Sequence, residues 1–445
     1  MQTAIDDHAI IARARQNLQC ALTSAETSSA PQSDSRWLAY SQWARQEIPR
    51  LSTVKEVVAF AQLRFGFESR PTGSRHLKYF KQIRDKLRQE FPDADDHINA
   101  FTESQFSARN VCLTTVDGRL VSSQLLNLAR FHLTAIAYTP PADTVCEIGG
   151  GYGAPARVWM TSPVRQPRKY IIIDLPESLF FAEVFLRAHF GDRVNNLAEA
   201  PHDDSAQFVL CAVPLIGRLS ETPVDLVINT WSMQEMSDPW IDFYMNWLEN
   251  SGARFFYSFN AMCRPIDRLG EVANSYSPRP SMNWVARMIG RPEEGGSQGH
   301  AVFERGTTES TRAEAAALFD SLCRSPISIE NLPRMIDCLR QIEDVPRTFL
   351  LLTRAITELD PVIPKEFQYF CERIRDSSQL TPNEREVIAA YQSQIDIRRE
   401  HGREFYLPGF ISAATGAPVY RHWRTRASWL RAKASRMFSR NSERG

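Results

Sequence analysis

The sequence lacks a net charge: 52 basic side chains balance 52 acidic ones over 445 residues. Nothing global therefore argues for nucleic acid or for a strongly acidic partner, and no nucleic-acid partner is expected. It also lacks any apolar run approaching the ~20 residues of a membrane span. The first residues, Met1 to His8, carry neither a basic n-region nor an apolar h-region, so they do not read as a signal peptide. Cysteine is scarce, at 20, 112, 146, 211, 263, 323, 338 and 371, with no Cys-x-x-Cys. That scatter excludes a disulfide framework and suits reduced thiols in a cytoplasmic protein. No His/Asp/Glu group has metal-ligand spacing, and a metal-independent reaction is expected. Asp93, Asp95, Asp96 and His97 crowd together after Pro92, and read better as a loop with helix-capping carboxylates than as a metal site.

What is present is a stretch from Asp143 to Glu177 that reads as strand, glycine loop, helix, strand and acidic turn. Val145 to Ile148 is a short apolar strand. Gly149, Gly150, Gly151 and Gly153 follow, where the backbone can turn tightly and let a ligand come close. Pro155 suits the first turn of the next helix. Ile171, Ile172 and Ile173 form a second buried strand ending at Asp174. Ligands of open α/β sheets bind at the carboxyl ends of such strands, so a nucleoside-bearing cofactor is expected here.

Gly149-x-Gly151-x-x-Ala154 satisfies the loose dinucleotide fingerprint, which keeps an NAD-dependent oxidoreductase as an alternative. Three details favour S-adenosyl-L-methionine (SAM). Glu147 stands two residues before the first glycine, where a dinucleotide site has an apolar strand residue. Gly153 extends the loop to Gly-x-Gly-x-Gly. Asp174 is placed to accept both ribose hydroxyls, and Leu175 to sit near the adenine.

Four blocks carry a resemblance: Glu147-Ile-Gly-Gly-Gly-Tyr-Gly, Ile172-Ile-Asp-Leu-Pro-Glu-Ser, Leu226-Val-Ile-Asn-Thr-Trp-Ser-Met-Gln-Glu-Met-Ser and Phe255-Phe-Tyr-Ser-Phe-Asn. Together, over roughly the middle third of the chain, the set resembles the bacterial sugar O-methyltransferase family of class I SAM-dependent methyltransferases. The resemblance implies a Rossmann-like class I methyltransferase sheet, an α/β fold, flanked by helical regions on both sides. It also implies methyl transfer to a hydroxyl of a sugar or glycosylated acceptor. A methyltransferase-like module that binds without catalysis is a further alternative.

The order of the chain gives four regions: a flexible N-terminal segment 1–35, an N-terminal helical region 36–138, the SAM-binding core 139–305 and a mainly helical region 306–445. A helix over 4–22 and a linker from Thr23 to Ser35 fall in the first. Helical patterns resume at Trp37 to Ile48, Val54 to Phe65 and His76 to Phe91. Asp117-Gly118 predicts a hairpin turn, and Leu125, Leu128, Ala129, Leu133 and Ile136 recur at helical spacing. In the core, strands and helices alternate, which predicts a parallel sheet covered on both faces. Its later strands are Gln207 to Val213, Val224 to Asn229 and Ala253 to Phe259, with Asp238-Pro239 starting a helix between the last two. Ala301 to Glu304 and Thr348 to Leu352 are candidate outer strands. The basic stretch Tyr420 to Arg444, with Trp423 and Trp429, is a candidate for peripheral membrane contact.

Methyl transfer is an in-line displacement that needs a positioned acceptor and, for an alcohol, a base. Glu235, between the fourth strand and the Asp238 helix, is the first candidate. Gln234 to Asp238 is similar to the His-Asp-Trp-Ser-Asp block of plant-type O-methyltransferases, where the histidine is the base. Gln234 cannot take a proton, so the role shifts to Glu235. His300, in Gly-Gly-Ser-Gln-Gly-His, is the second candidate, on a glycine-rich loop read as a lid. Asn229 and Thr230 are placed to reach the amino-acid part of SAM, with Glu147 acting there through backbone or water. Trp231, Gln234 and Asn260 are placed to meet the acceptor. Trp240 and Tyr257 could stack on a sugar, although core packing suits them better.

Overall fold

A computed structural model of the chain describes residues 6–25, 30–31, 35–64, 73–91, 94–107, 113–116, 118–200, 203, 205–261, 284–289, 298–306, 308–327, 332–342, 344–358, 366–389 and 392. Five helices come first: α1 (Asp7–Ala25), α2 (Ser35–Glu47), α3 (Val54–Arg64), α4 (Gly73–Glu90) and α5 (Ala94–Ala100). The hairpin β1 (Leu113–Val116) and β2 (Arg119–Ser122) turns at Gly118, whose φ of 75° explains the glycine. Ser122 then caps α6 (Ser123–Tyr138) by accepting the Leu125 N–H.

The core runs β3 (Thr144–Ile148), α7 (Ala154–Thr161), β4 (Lys169–Asp174), α8 (Pro176–Phe190), β5 (Val194–Asn196), β6 (Phe208–Ala212), β7 (Leu226–Thr230), α9 (Asp238–Asn250), β8 (Phe255–Ala261), β9 (Trp284–Ile289) and β10 (Gln298–Arg305). These strands form one sheet in the order β5-β6-β4-β3-β7-β8-β10-β9. The pairings from β5 to β8 are all parallel, and β10 is antiparallel to both β8 and β9. Counted from β3, the five central strands lie 3-2-1-4-5, the doubly wound order. A purely parallel dinucleotide sheet would continue with a sixth parallel strand; here the reversed β10 lies between β8 and β9. This is the expected Rossmann-like α/β sheet, parallel through its centre and flanked by helices.

The strands form where they do because they are apolar throughout, as strands buried on both faces must be. Val145, Ile148, Ile171, Ile172, Ile173, Val227 and Ile228 are all at most 1% exposed. The crossover from β3 to β4 starts at the glycine loop, which puts that loop at the point where the strand order reverses, the usual ligand crevice.

Two compact units divide the chain. The first comprises Met1–Met262 and Asn274–Thr311; the second comprises Cys263–Ala273 and Arg312–Gly445. The second unit contains α10 (Thr308–Leu322), in part, with α11 (Leu332–Ile342), α12 (Val345–Glu358) and α13 (Glu366–Ile374), around its own core of Phe319, Met335, Ile336, Leu339, Leu351, Leu352 and Phe370.

One expectation needs correction. Thr348 to Leu352 is not an outer strand but part of α12, while Ala301 to Glu304 does lie in β10. The helix expected over 4–22 is α1 (Asp7–Ala25), docked on α8 through Asn17 and Glu183. The basic stretch Tyr420 to Arg444 lies outside the described residues. Among the described residues no helix is long and apolar enough to cross a membrane, and no cluster of His, Cys, Asp or Glu could hold a metal ion.

Candidate functional site

The glycine loop is built by backbone geometry. Gly149, Gly151 and Gly153 have φ of 74°, 58° and 86°, the left-handed region that a side chain disfavours. Gly149 N–H closes on Ile173 O at 2.8 Å and Gly153 N–H on Gly150 O at 3.0 Å. A Cβ on Gly149 would collide with Ser232 Oγ, and one on Gly150 would lie 2.8 Å from both Glu147 Oε2 and Ile172 Cγ2. The loop is therefore wedged between β4 and the turn after β7, with no room for side chains.

Two carboxylates bracket it. Asp174, at the end of β4, accepts Gly151 N–H at 2.8 Å and Leu175 N–H at 2.7 Å. Burial nevertheless pushes its pKa up to about 6, against the two backbone donors and the Ser178 side chain, with the Glu177 charge adding to the rise. Leu175, half-buried, precedes α8 as its cap residue. Glu147 is fully buried under the loop. Its Oε2 accepts the Tyr170 hydroxyl at 2.9 Å, and its Oε1 is buried without a partner. Burial first, and then the Asp174 charge, raise its pKa to about 8 against the Tyr170 hydrogen bond. With the Asp174 carboxylate beside the loop, and Gly151 N–H already given to it, the cradle is electrostatically poor for a diphosphate.

The far rim is the turn after β7. Asn229 is fully buried; its Nδ2 donates to Ile148 O at 2.7 Å and to Ser232 Oγ, and its Oδ1 accepts Met233 N–H at 3.2 Å and Asn260 Nδ2 at 2.8 Å. Asn260 in turn accepts Gln234 N–H at 3.1 Å and donates to Ser258 Oγ at 2.8 Å. Both amides, predicted as ligand contacts, are spent on building the turn. Sequence reading missed that they are partners, and also missed Ser232, which sits against Gly149. Thr230 ends β7 with 8% exposure. Trp231 follows with φ of 63°, the positive φ found for a non-glycine residue among those described, and it remains half-exposed. Such strain persists where the surroundings impose it, and it clusters at functional sites. Its ring meets Phe131 edge-on at 4.9 Å and Phe259 at 5.7 Å.

The two candidate bases differ in setting. Glu235 ends the short 3-10 turn Met233–Glu235, half-exposed beside Gln234. His300 is not on an open loop. It lies in β10, paired with Phe259 and 5% exposed. Its Nδ1 is 2.8 Å from the Tyr257 hydroxyl, its Nε2 is buried without a partner, and burial holds its pKa well below the ordinary value. The imidazole is thus neutral at physiological pH. The lid reading is corrected to this extent; residues 290–297 lie outside the described set. Trp240 (7% exposed) and Tyr257 (0%) are core residues rather than sugar platforms.

No protein-family model and no curated protein matches the chain. Solved structures with a partial likeness include human N-acetylserotonin methyltransferase in complex with SAM, at 14% identity and TM-score 0.24, covering 42% of this chain and 56% of that one. An O-methyltransferase family protein from Burkholderia thailandensis matches at 13% identity and TM-score 0.28, covering 42% and 58%. M. capricolum TrmK in complex with S-adenosyl-homocysteine matches at 8% and 0.27, covering 51% and 97%. At such scores the strand order itself remains the ground for the fold class.

Proposed function

We propose that this chain is a SAM-dependent O-methyltransferase acting on a hydroxyl of a sugar or glycosylated acceptor. The observation that carries the donor is the glycine cradle between the buried Glu147 and the half-buried Asp174, at the reversal point of a sheet with a reversed strand before its last. The cradle suits a cationic nucleoside laid on its backbone: Glu147 Oε1 is buried without a partner, and Gly149 and Gly150 can pack against Ser232, Glu147 and Ile172 only because they carry no Cβ. SAM, bound there, supplies an electrophilic methyl group on a sulfonium. The saccharide acceptor rests on the family resemblance alone.

The chain's own residues divide the remaining work. Gly149, Gly150, Gly151 and Gly153 leave room for the nucleoside, and Asp174 and Leu175 border its ribose and adenine. Glu147 faces the amino-acid end, beside Thr230. Asn229 and Asn260 hold the turn in register rather than touching the ligand. Trp231 and Gln234 border the acceptor. Glu235, the more accessible carboxylate, takes the proton from the acceptor hydroxyl, and His300 with Tyr257 is the second candidate for that role.

The test is isothermal titration with SAM and with NAD. SAM alone should bind, and binding of NAD in its place would overturn the reading. Asp174→Ala should weaken SAM binding by ~1–3 kcal/mol, because it removes a charged acceptor. Glu235→Gln should keep SAM affinity yet slow labelled-methyl transfer to lipopolysaccharide or nucleotide-sugar pools. Wild-type rates in that variant would remove Glu235 as the base.

A further inference from the structure

Helix α2 touches both rims of the cradle. Its Trp37 Nε1 donates to Glu235 O at 3.2 Å, on the turn after β7. Its Tyr40 hydroxyl lies 3.3 Å from Ser178 Oγ, its Ser41 Oγ donates to Glu177 Oε2 at 3.2 Å, and its Arg45 Nε pairs with Glu177 Oε1 at 2.5 Å. Glu177 and Ser178 open α8 immediately after Asp174 and Leu175. A ligand lying from Asp174 to the Glu235 turn therefore passes beneath α2.

Both ends of α2 are held by polar and apolar contacts. At the α8 end, the 1%-exposed Glu177 carboxylate is held by Arg45 and Ser41. Trp43, Phe60 and Phe181 add a ring stack with centroids 4.7 and 5.5 Å apart, tying α2 through α3 to α8. At the other end, the half-buried Trp37 indole donates to a backbone carbonyl, meets the Tyr40 ring edge-on at 5.9 Å and packs against the apolar core.

We propose that α2 is the roof of the cofactor site and that Trp37 is a positioning residue, tying that roof to the turn that presents Glu235. Release of the cofactor then requires the Trp37 bond to the turn to break, and closure fixes the backbone from which Glu235 projects. The inference rests on the SAM reading above.

Stopped-flow measurement of SAM release tests it. Trp37→Phe keeps a ring and removes the donor; loss of one hydrogen bond predicts about fivefold faster release. Trp37→Ala should release SAM faster still. Leu38→Ala, on the exposed side of the same helix (47% exposed), should match the wild type. Hydrogen exchange on the unmodified protein provides a second readout: amides of α2 should slow when SAM binds. SAM binding with unchanged α2 exchange, or with unchanged release from Trp37→Phe, overturns the roof while leaving the donor assignment standing. Failure of the wild-type chain to bind SAM overturns both.

Discussion

Glu147 shows how one buried atom pair sets a measurable property. Its pKa is raised to about 8 from 4.5 because burial penalises the charged form. Between those values the folded chain holds a proton that the unfolded chain has lost. Stability therefore falls as pH rises through that window and levels off above about 8. A cationic ligand acts the other way, since it favours the ionised carboxylate. SAM affinity should thus rise from pH 6 to pH 8, with proton release visible as a dependence of the titration heat on buffer. Glu147→Gln should flatten this slope and leave the part below about pH 6 that belongs to Asp174. A variant with the wild-type slope would show that Glu147 is not the titrating group. The glycines and both carboxylates were legible in the sequence because the motif is contiguous along the chain. The partners Asn229 with Asn260, and Tyr257 with His300, were not: they lie 31 and 43 residues apart, and only strand register brings them together.

At the scale of elements, short apolar runs are ambiguous until their ends are examined. Thr-Phe-Leu-Leu-Leu at 348–352 has strand-like composition. Asp344 nonetheless accepts Arg347 N–H at 2.8 Å, Pro346 sits in the first turn, and the run continues as α12. The reversed β10 was foreseen only as a candidate outer strand, because nothing local marks strand direction. Docking of α1 was also hidden, since it depends on polar groups that find one another in space. Glu183 on α8, fully buried, accepts Asn17 Nδ2 at 2.8 Å, Asn196 Nδ2 at 2.7 Å and Arg187 Nε at 2.8 Å. Glu199 extends the network to Arg187 at 3.3 Å and to Arg13 at 2.7 Å. Every Glu183 oxygen is satisfied, which is the condition under which a buried charge is tolerable. Arg187→Met leaves that carboxylate buried without its cation and should cost ~3–5 kcal/mol in chemical denaturation. Arg13→Met, at the exposed edge, should cost less than ~1 kcal/mol. Equal losses would show that burial does not govern this network.

At the scale of the whole molecule, the first unit contains the sheet, the glycine cradle, the β7 turn, both candidate bases and α2. The second unit has a separate apolar core, from Ala315 to Ile388, and contributes none of the residues assigned here to cofactor or acceptor. Cofactor affinity should then be a property of the first unit alone. A chain ending at Thr311 should bind SAM within about twofold of the full-length affinity, as expected for groups that share no partners. It should keep the same pH slope, because Glu147, Tyr170 and Asp174 remain together. A large loss of affinity with the fold intact by circular dichroism would place part of the cofactor site in residues 312–445. Retained affinity with lost methyl transfer would assign the second unit to the acceptor.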